Sequence, residues 1–427
     1  MPVNLSLAPA VPVAGVDIAT VAAGIKRDGT PDLVLFGMAE GSRTAAVFTR
    51  NAFAAAPVTV AREHLRASGG EVRALLINAG NANAGTGEPG IVMARAHCEA
   101  VADALRVSPE AVLPFSTGVI GQLLPDAAVR GGIAAAASAL GEASSSDERW
   151  RAAAHGIMTT DTAPKLTSRT VTLGDERATP VTITGMAKGA GMIEPHMATM
   201  LAYVFTDANV GQADLERALA AAVDVSFNAI TVDGDTSTND ACVLCATGQG
   251  AALSSSDTSS WTAFVAALSE LFRDLAQAIV RDAEGATKFI GVRVTGGRDA
   301  AECRAVGYAV ANSPLVKTAM FAGDANVGRL LMAIGKADVH ELDAARVRVS
   351  LGDVLAFEAG GIAPGYTEER GAAIMARDEI VVTIELGRAG RGPTERGPGG
   401  DGDGAAVEIW TSDLSHAYVS INADYRS

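Results

Sequence analysis

The sequence predicts a mixed α/β fold, and three observations carry that expectation. The chain has 427 residues, enough at about 150 per domain for two or three domains or one large α/β unit. Hydrophobic residues make up 48% and charged residues 19%, below the roughly 25% charge of an average soluble chain, so a packed core is expected rather than disorder. Short apolar runs alternate with longer Ala-rich segments along the whole length, which mixes strands and helices instead of segregating them.

The elements follow in order. Apolar runs at 33–36, 74–78, 111–115, 181–183 and 200–206, bounded by Gly, Asn or Asp, read as strands. Segments 92–105, 215–226 and 261–280 have helical length and apolar residues three and four apart, with Asp257 or Ser259 placed to cap the last. Polar stretches 143–149 and 254–260 read as surface connections. Residues 387–404 are so rich in Gly and Pro that a mobile loop is expected, tipping a hairpin between 380–386 and 407–411. No internal repeat of fixed period is present.

Charge and cysteine usage narrow the function. Forty-nine acids against 34 bases give a net charge of −15, and no basic cluster with interleaved aromatics occurs, which argues against a nucleic-acid or anionic-membrane partner. The first 29 residues hold no cationic stretch ahead of an apolar core, and no run approaches about 18 apolar residues, so neither secretion nor membrane spanning is expected. Four scattered cysteines do not make a disulfide framework, and a reducing cytoplasm is the expected compartment. Cys242 and Cys245 form a CxxC inside an apolar run without a second pair at zinc spacing, so they read as buried strand residues.

Gly85, Gly87 and Gly90 satisfy G-x-G-x-x-G. The strand expected before them ends at Asn78, too far upstream for the tight turn that brings backbone amides to a pyrophosphate. The next strand ends Ser116-Thr117-Gly118 with no acid for a ribose hydroxyl. A loop of small residues near a site is the preferred reading.

The chemistry concentrates at Lys188 to Leu201, where a loop containing two glycines and a proline joins an apolar strand, with Thr199 at the junction. A threonine heading a strand is ordinarily there for β-propensity. Here the small Ala198 precedes it, and a Gly-rich loop is able to hold the intervening carbonyl in the strained geometry that an acyl shift to the hydroxyl requires. Cleavage at Ala198–Thr199 gives Thr199 a free α-amine, of ordinary pKa about 7.7–8.0, beside its own hydroxyl. That pairing is a recognised way to activate threonine for acyl transfer. None of the six histidines sits in a Ser-His-Asp or metal-ligand pattern, and His196 reads as loop packing.

Ordered blocks along nearly the whole chain resemble the glutamate N-acetyltransferase or ornithine acetyltransferase family of the cyclic arginine pathway. They are NAGNANAG at 78–85, STGVIG at 116–121, MTTDT at 158–162, the 188–201 block, VDGDTSTND at 232–240, DAEGATK at 282–288, VANSPLVK at 310–317 and NADYRS at 422–427. The resemblance implies a layered αββα fold of the N-terminal-nucleophile type, self-cleaved into an α chain (1–198) and a β chain (199–427) that assemble as an α2β2 heterotetramer. It implies an acetyl-Thr199 intermediate, with acetyl moving from N2-acetylornithine to glutamate, and an oxyanion hole at Thr117 and Gly118. Substrate contacts carried over by motif are Thr159, Lys188, Thr199, Glu284, Asn422 and Ser427, with Lys188 suited to a carboxylate and Glu284 to an ammonium. Which threonine of Thr159, Thr160 and Thr162 faces substrate stays open. No metal or redox cofactor is implied, and acetyl-CoA stays open as a second acetyl donor. Asp233, Asp235 and Asp240 lack EF-hand spacing and read as turn builders.

Four features depart from the family pattern. Val327 stands where tryptophan is common, which bears on pocket shape and amino-acid preference. His196 stands for asparagine, Ser427 for threonine with its hydroxyl kept, and the Gly-rich stretch at 387–404 is an unusual insertion. A secondary-metabolism relative acting on another N-acetyl amino acid, an N-terminal-threonine amidase or peptidase, and an uncleaved binding protein stay open as alternatives.

Overall fold

The computed structural model describes residues 1–26, 29–140, 146–173, 180–194, 200–388 and 405–423. The chain begins with β1 (Val16–Val21), β2 (Leu33–Met38), β3 (Arg43–Phe48), α1 (Ala56–Ala67), β4 (Ala74–Asn81), α2 (Gly87–Leu105) and β5 (Val112–Val119). Helices α3 (Asp126–Leu140) and α4 (Asp147–Gly156) lead into β6 (Lys165–Val171) and β7 (Val181–Lys188). Then come β8 (Leu201–Thr206), β9 (Asn209–Val210), α5 (Gln212–Asp224), β10 (Ala241–Ala246), β11 (Ala252–Leu253) and α6 (Thr258–Arg281). The expected apolar runs are thus β2, β4, β5, β7 and β8, and the expected helices are α2, α5 and α6. Asp257 caps α6 by accepting from the Ser260 amide. The two polar connections are shorter than expected, because their last residues already form the first turns of α4 and α6.

These elements make four layers. One sheet has the order β1-β2-β4-β5 and another β3-β10-β8-β7-β6. Their facing sides share a core in which Phe36, Ile77 and Phe115 meet Leu201, Tyr203 and Phe205. Ring centroids lie 4.8 Å apart for Phe36 and Phe205 and 5.2 Å apart for Phe115 and Tyr203. The outer face of the first sheet packs on α2 and α3, and that of the second on α5 and α6. Both faces of β4 and β8 are therefore covered, which is why these strands read as continuous apolar runs instead of alternating ones. The αββα layering is the one the resemblance implies. The second sheet takes β3, β6 and β7 from before residue 199 and β8 and β10 from after it, so both segments build one core.

The rest of the chain adds β12 (Phe289–Gly297), α7 (Ala300–Ala311), α8 (Pro314–Ala322), α9 (Val327–Gly335), β13 (Arg348–Leu351), β14 (Val354–Glu358), β15 (Gly361–Ile362), α10 (Glu368–Met375), β16 (Glu379–Glu385), β17 (Ala405–Ser412) and α11 (His416–Ala423). Their sheet has the order β15-β14-β13-β16-β12-β17. The expected hairpin is corrected here: β16 and β17 do not pair, because β12 lies between them, parallel to β16 and antiparallel to β17. Inserting β12 satisfies both of its edges and buries Val292 and Val294 completely, a gain that a local hairpin does not offer. Of the Gly-rich loop, residues 389–404 lie outside the described residues.

Candidate active site

A cavity of about 140 Å³ opens where the two stacked sheets end together. It is lined by Thr117 and Gly118 from the end of β5, Lys188 from the end of β7, and Met200 and Leu201 at the start of β8. Thr159, Glu284 and Asn422 complete it from three other segments. Six of the residues expected from the sequence thus come together from positions up to 305 apart in number, 117 to 422. Ala198, Thr199, His196 and Ser427 lie outside the described residues. Thr160 also lines the cavity, whereas Thr162 turns away and bonds Asp282 through both its amide and its hydroxyl.

Thr117 and Gly118 belong to β5 itself and are not a turn after it. Gly80 of β4 faces Gly118 in a parallel register that slips at Asn81. Gly118 has φ +132°, and a Cβ there would fall 2.3 Å from the Gly80 carbonyl carbon. Only glycine fits such an approach of two backbones. Nearby, Asn239 donates 2.6 Å to the Ala82 carbonyl and 2.9 Å to the Ser116 carbonyl, holding the ends of β4 and β5 together.

Lys188 projects into the cavity and donates 3.1 Å to Thr117 Oγ1 and 2.8 Å to Thr159 Oγ1. Both partners are neutral. Burial pushes its ammonium below the ordinary lysine range, although Asp161, Asp240 and Glu284 favour the charge. Beneath it lies a buried ionic floor: Lys165 Nζ is 2.6 Å from Asp161 Oδ1 and 2.7 Å from Asp282 Oδ2. Asp161 also accepts from the Gly189 amide at 2.7 Å and the Thr159 amide at 3.1 Å. Burial alone would raise the Asp161 carboxyl, but Lys165, Lys188 and the Gly189 amide hold it well below the usual carboxylate range. One aspartate thereby fixes both segments that present Lys188 and Thr159.

On the opposite wall, the Glu284 amide donates 2.9 Å to the Ala190 carbonyl, and Asn422 Nδ2 donates 2.7 Å to Glu284 Oε2. Asn422 rides on α11, tethered by the Ser415 hydroxyl on the Gly285 carbonyl at 2.6 Å. Gly191 leaves room for the acid, since a Cβ there would lie 2.5 Å from Glu284 Oε2. The sequence reading missed the roles of Asp161, Lys165 and Asp282, whose local signs are an acid within the MTTDT block, a lysine four residues on and the acid that opens the DAEGATK block. It also read Asp240 as a turn builder, and this is corrected: Asp240 is buried, lines the cavity and is pushed well above the carboxylate range by burial, against the pull of Ser237 and Lys188. Asp233 does build a loop, accepting from the Met192 and Ile193 amides.

Other readings resolve by position. Val327 is buried in the core and lines a shallow depression with Asp324 and Tyr366, away from the cavity, so it does not shape this pocket. Cys242 and Cys245 point to opposite faces of β10, one into each core, which prevents them from sharing a metal. Burial pushes the Cys245 thiol up to about 12. Strand β4 runs on to Asn81, closer to Gly85 than expected, but Gly87 and Gly90 already lie in α2, and Ala82 of the small-residue loop borders the cavity. Among the described residues no helix is long and apolar enough to cross a membrane.

Residues 17–427 match the ArgJ family. The chain belongs to the ArgJ family. It is 50% identical over 430 residues, all of both chains, to the arginine biosynthesis bifunctional protein ArgJ of Pseudomonas syringae pv. tomato (strain ATCC BAA-871 / DC3000). Two solved structures are also similar. The arginine biosynthesis bifunctional protein argJ of Bacillus halodurans shares 34% identity, with 51% of this chain and 95% of that one covered, at a TM-score of 0.45. Ornithine acetyltransferase of Mycobacterium tuberculosis, complexed with ornithine, shares 36%, with 44% and 93% covered, at a TM-score of 0.37. Membership of the ArgJ family agrees with the resemblance drawn from the ordered sequence blocks.

Proposed function

We propose that the protein is the acetyltransferase of arginine biosynthesis that moves acetyl from N2-acetylornithine to glutamate through an acetyl-Thr199 intermediate. The observation that carries this is the convergence of Thr117, Gly118, Thr159, Lys188, Glu284 and Asn422 on one cavity, which Met200, the residue after Thr199, also lines. Self-cleavage at Ala198–Thr199 would free the amine that serves as base for the hydroxyl. Thr117 and Gly118 would oppose the negative charge of the tetrahedral intermediate. Lys188 now meets only hydroxyls, so a substrate carboxylate gives it a charged partner, while Glu284, steadied by Asn422, takes an ammonium. Ser427 would add a hydroxyl contact.

Ornithine leaves, glutamate enters, and the acetyl group is conserved on the enzyme between the two halves. Acyl exchange at a hydroxyl needs no metal. Acetyl-CoA as a second donor is tested by incubating the enzyme with glutamate and acetyl-CoA. The reading places the α (1–198) and β (199–427) chains in a cytoplasmic α2β2 heterotetramer. The central test is mass spectrometry of protein stopped in mid-turnover with N2-acetylornithine. An acetyl group on the peptide beginning at Thr199 is expected, and Thr199→Ala should stay uncut and inactive. An uncut wild-type chain, or free acetate released without glutamate, refutes the transferase reading.

A further inference from the structure

Thr117 and Gly118 end β5, the edge strand of the first sheet, whereas β8, the strand that begins two residues after Thr199, lies in the second and pairs there with β10. Hydrogen bonding within each sheet leaves the spacing between β5 and β8 unset. The ends of β4 and β5 also abandon their regular ladder where the register slips at Asn81, and side chains take over from backbone. Asn78 Nδ2 donates 2.8 Å to the Asn81 carbonyl, and Asn81 Nδ2 donates 3.2 Å to the Gln122 and Leu123 carbonyls. Those bonds stay within one stretch of chain.

Asn239 reaches in from the other sheet. Its Nδ2 donates 2.6 Å to the Ala82 carbonyl and 2.9 Å to the Ser116 carbonyl, while its Oδ1 accepts from the Thr238 hydroxyl at 2.7 Å. Two carbonyl acceptors identify the nitrogen end of the amide. The backbone beyond it is held at the head of β10, where the Asp240 carbonyl accepts from the Thr49 amide at 2.9 Å and the Ala241 amide donates 3.0 Å to the Met200 carbonyl. Ala241 then enters the ladder opposite Leu201 of β8. One buried side chain thus spans from the strand beside β8 to the peptide that carries Thr117.

The Ser116 carbonyl and the Thr117 N–H are opposite ends of one planar trans peptide, so fixing the first sets the direction of the second. Oxyanion donors act only where they are already aimed at the developing charge, to within about 0.5 Å. We propose that Asn239 is the positioning residue of the oxyanion hole, setting the end of β5 against β8 through the Ser116–Thr117 peptide. This rests on the reading above that Thr117 and Gly118 face the tetrahedral intermediate. Asn239 lines the cavity, but both of its amide protons are engaged by carbonyls. It has no donor left for a substrate, and it acts through β5.

Asn239→Ala removes both bonds. Measured per self-cleaved chain, kcat for acetyl transfer from N2-acetylornithine to glutamate is expected to fall about 10–100-fold, the scale of a displacement near 1 Å. KM for N2-acetylornithine should stay within about threefold of wild type, because Lys188, Thr159, Glu284 and Asn422 keep their bonds to one another. An unmoved kcat, or a KM that rises as much as kcat falls, overturns the proposal. A double-mutant cycle gives the second readout, since Gly118→Ala displaces the same donors. Added to Gly118→Ala, Asn239→Ala should lower kcat by no more than about threefold further; a fall as large as in the wild-type background overturns the proposal.

If Asn239→Ala fails to fold or to cut itself, Thr238→Val reads the same contact, because it removes the hydroxyl that holds Asn239 Oδ1. A kcat about 3–10-fold lower, the worth of one hydrogen bond, with KM unmoved supports the proposal, and an unchanged kcat overturns it. Gly118→Ala by itself separates the two ideas. Should it leave kcat at the wild-type level, the oxyanion reading falls; should it lower kcat while Asn239→Ala does not, only the role of Asn239 falls.

Discussion

Lys165 and Lys188 stand at adjoining ends of one hairpin, Lys165 facing Ala187 in the β6–β7 register. Both are buried. The first is saturated by the protein, with a carboxylate on either side, and the second meets two neutral hydroxyls at a cavity wall. A buried ammonium between two acids belongs to the scaffold, and removing one member strands the others. A buried ammonium held only by hydroxyls is destabilised on its own and gains when a ligand brings a negative charge. The floor and the wall differ in what completes them.

That contrast is open to attack. Lys165→Met should cost about 3–5 kcal/mol of folding stability, because it leaves Asp161 and Asp282 buried without their cation; a urea midpoint close to wild type would show that the floor is not held by charge. Gly118→Ala pushes a Cβ into the β4 backbone, and kcat should fall about 10²–10³-fold as the proposed oxyanion donors move, read in a steady-state acetyl-transfer assay. Lys188→Met should raise KM about 10–150-fold, the worth of one charged hydrogen bond, yet leave the protein as stable as before or more so. Should it melt like Lys165→Met, the distinction between wall and floor fails.

The same lysine makes a pH prediction. Its folded pKa lies below the ordinary 10.5, so between the two values the unfolded chain binds more protons and stability rises with pH. The penalty is fully present below the folded value and relieved as pH climbs to 10.5. Urea midpoints measured from neutral to alkaline pH should rise less in Lys188→Met than in wild type. The smallest effect is expected from Gly191→Ala, whose Cβ meets the mobile end of Glu284 and not backbone. Stability should hardly change, and KM should rise roughly tenfold as Glu284 swings aside, a loss of about 1.4 kcal/mol.

Periodicity made β2, β4, β5, β8 and the helices α2, α5 and α6 legible, because their apolar runs are long and local. It failed at β16 and β17, where the partner of each is β12, a strand distant in sequence from both and invisible to any local pattern. The site divides the same way. Thr117, Gly118, Thr159, Lys188, Glu284 and Asn422 were readable through motif blocks that resemble one family. Asp161 and Asp282 lie in two of those blocks, but their pairing with Lys165 was not readable, since a buried salt bridge has no signature beyond residue types that usually sit in water.

The residues alone thus determined the mixed α/β character and the family, and they are the basis for the proposed junction at Ala198–Thr199, all of which live in contiguous stretches of chain. Tertiary structure decided that Asp240 faces the cavity, that Val327 does not, and that one lysine is sealed between two carboxylates while its neighbour lines the cavity. Those outcomes depend on which groups meet after folding, and burial and charge pairing are set by neighbours that the chain brings together from a distance.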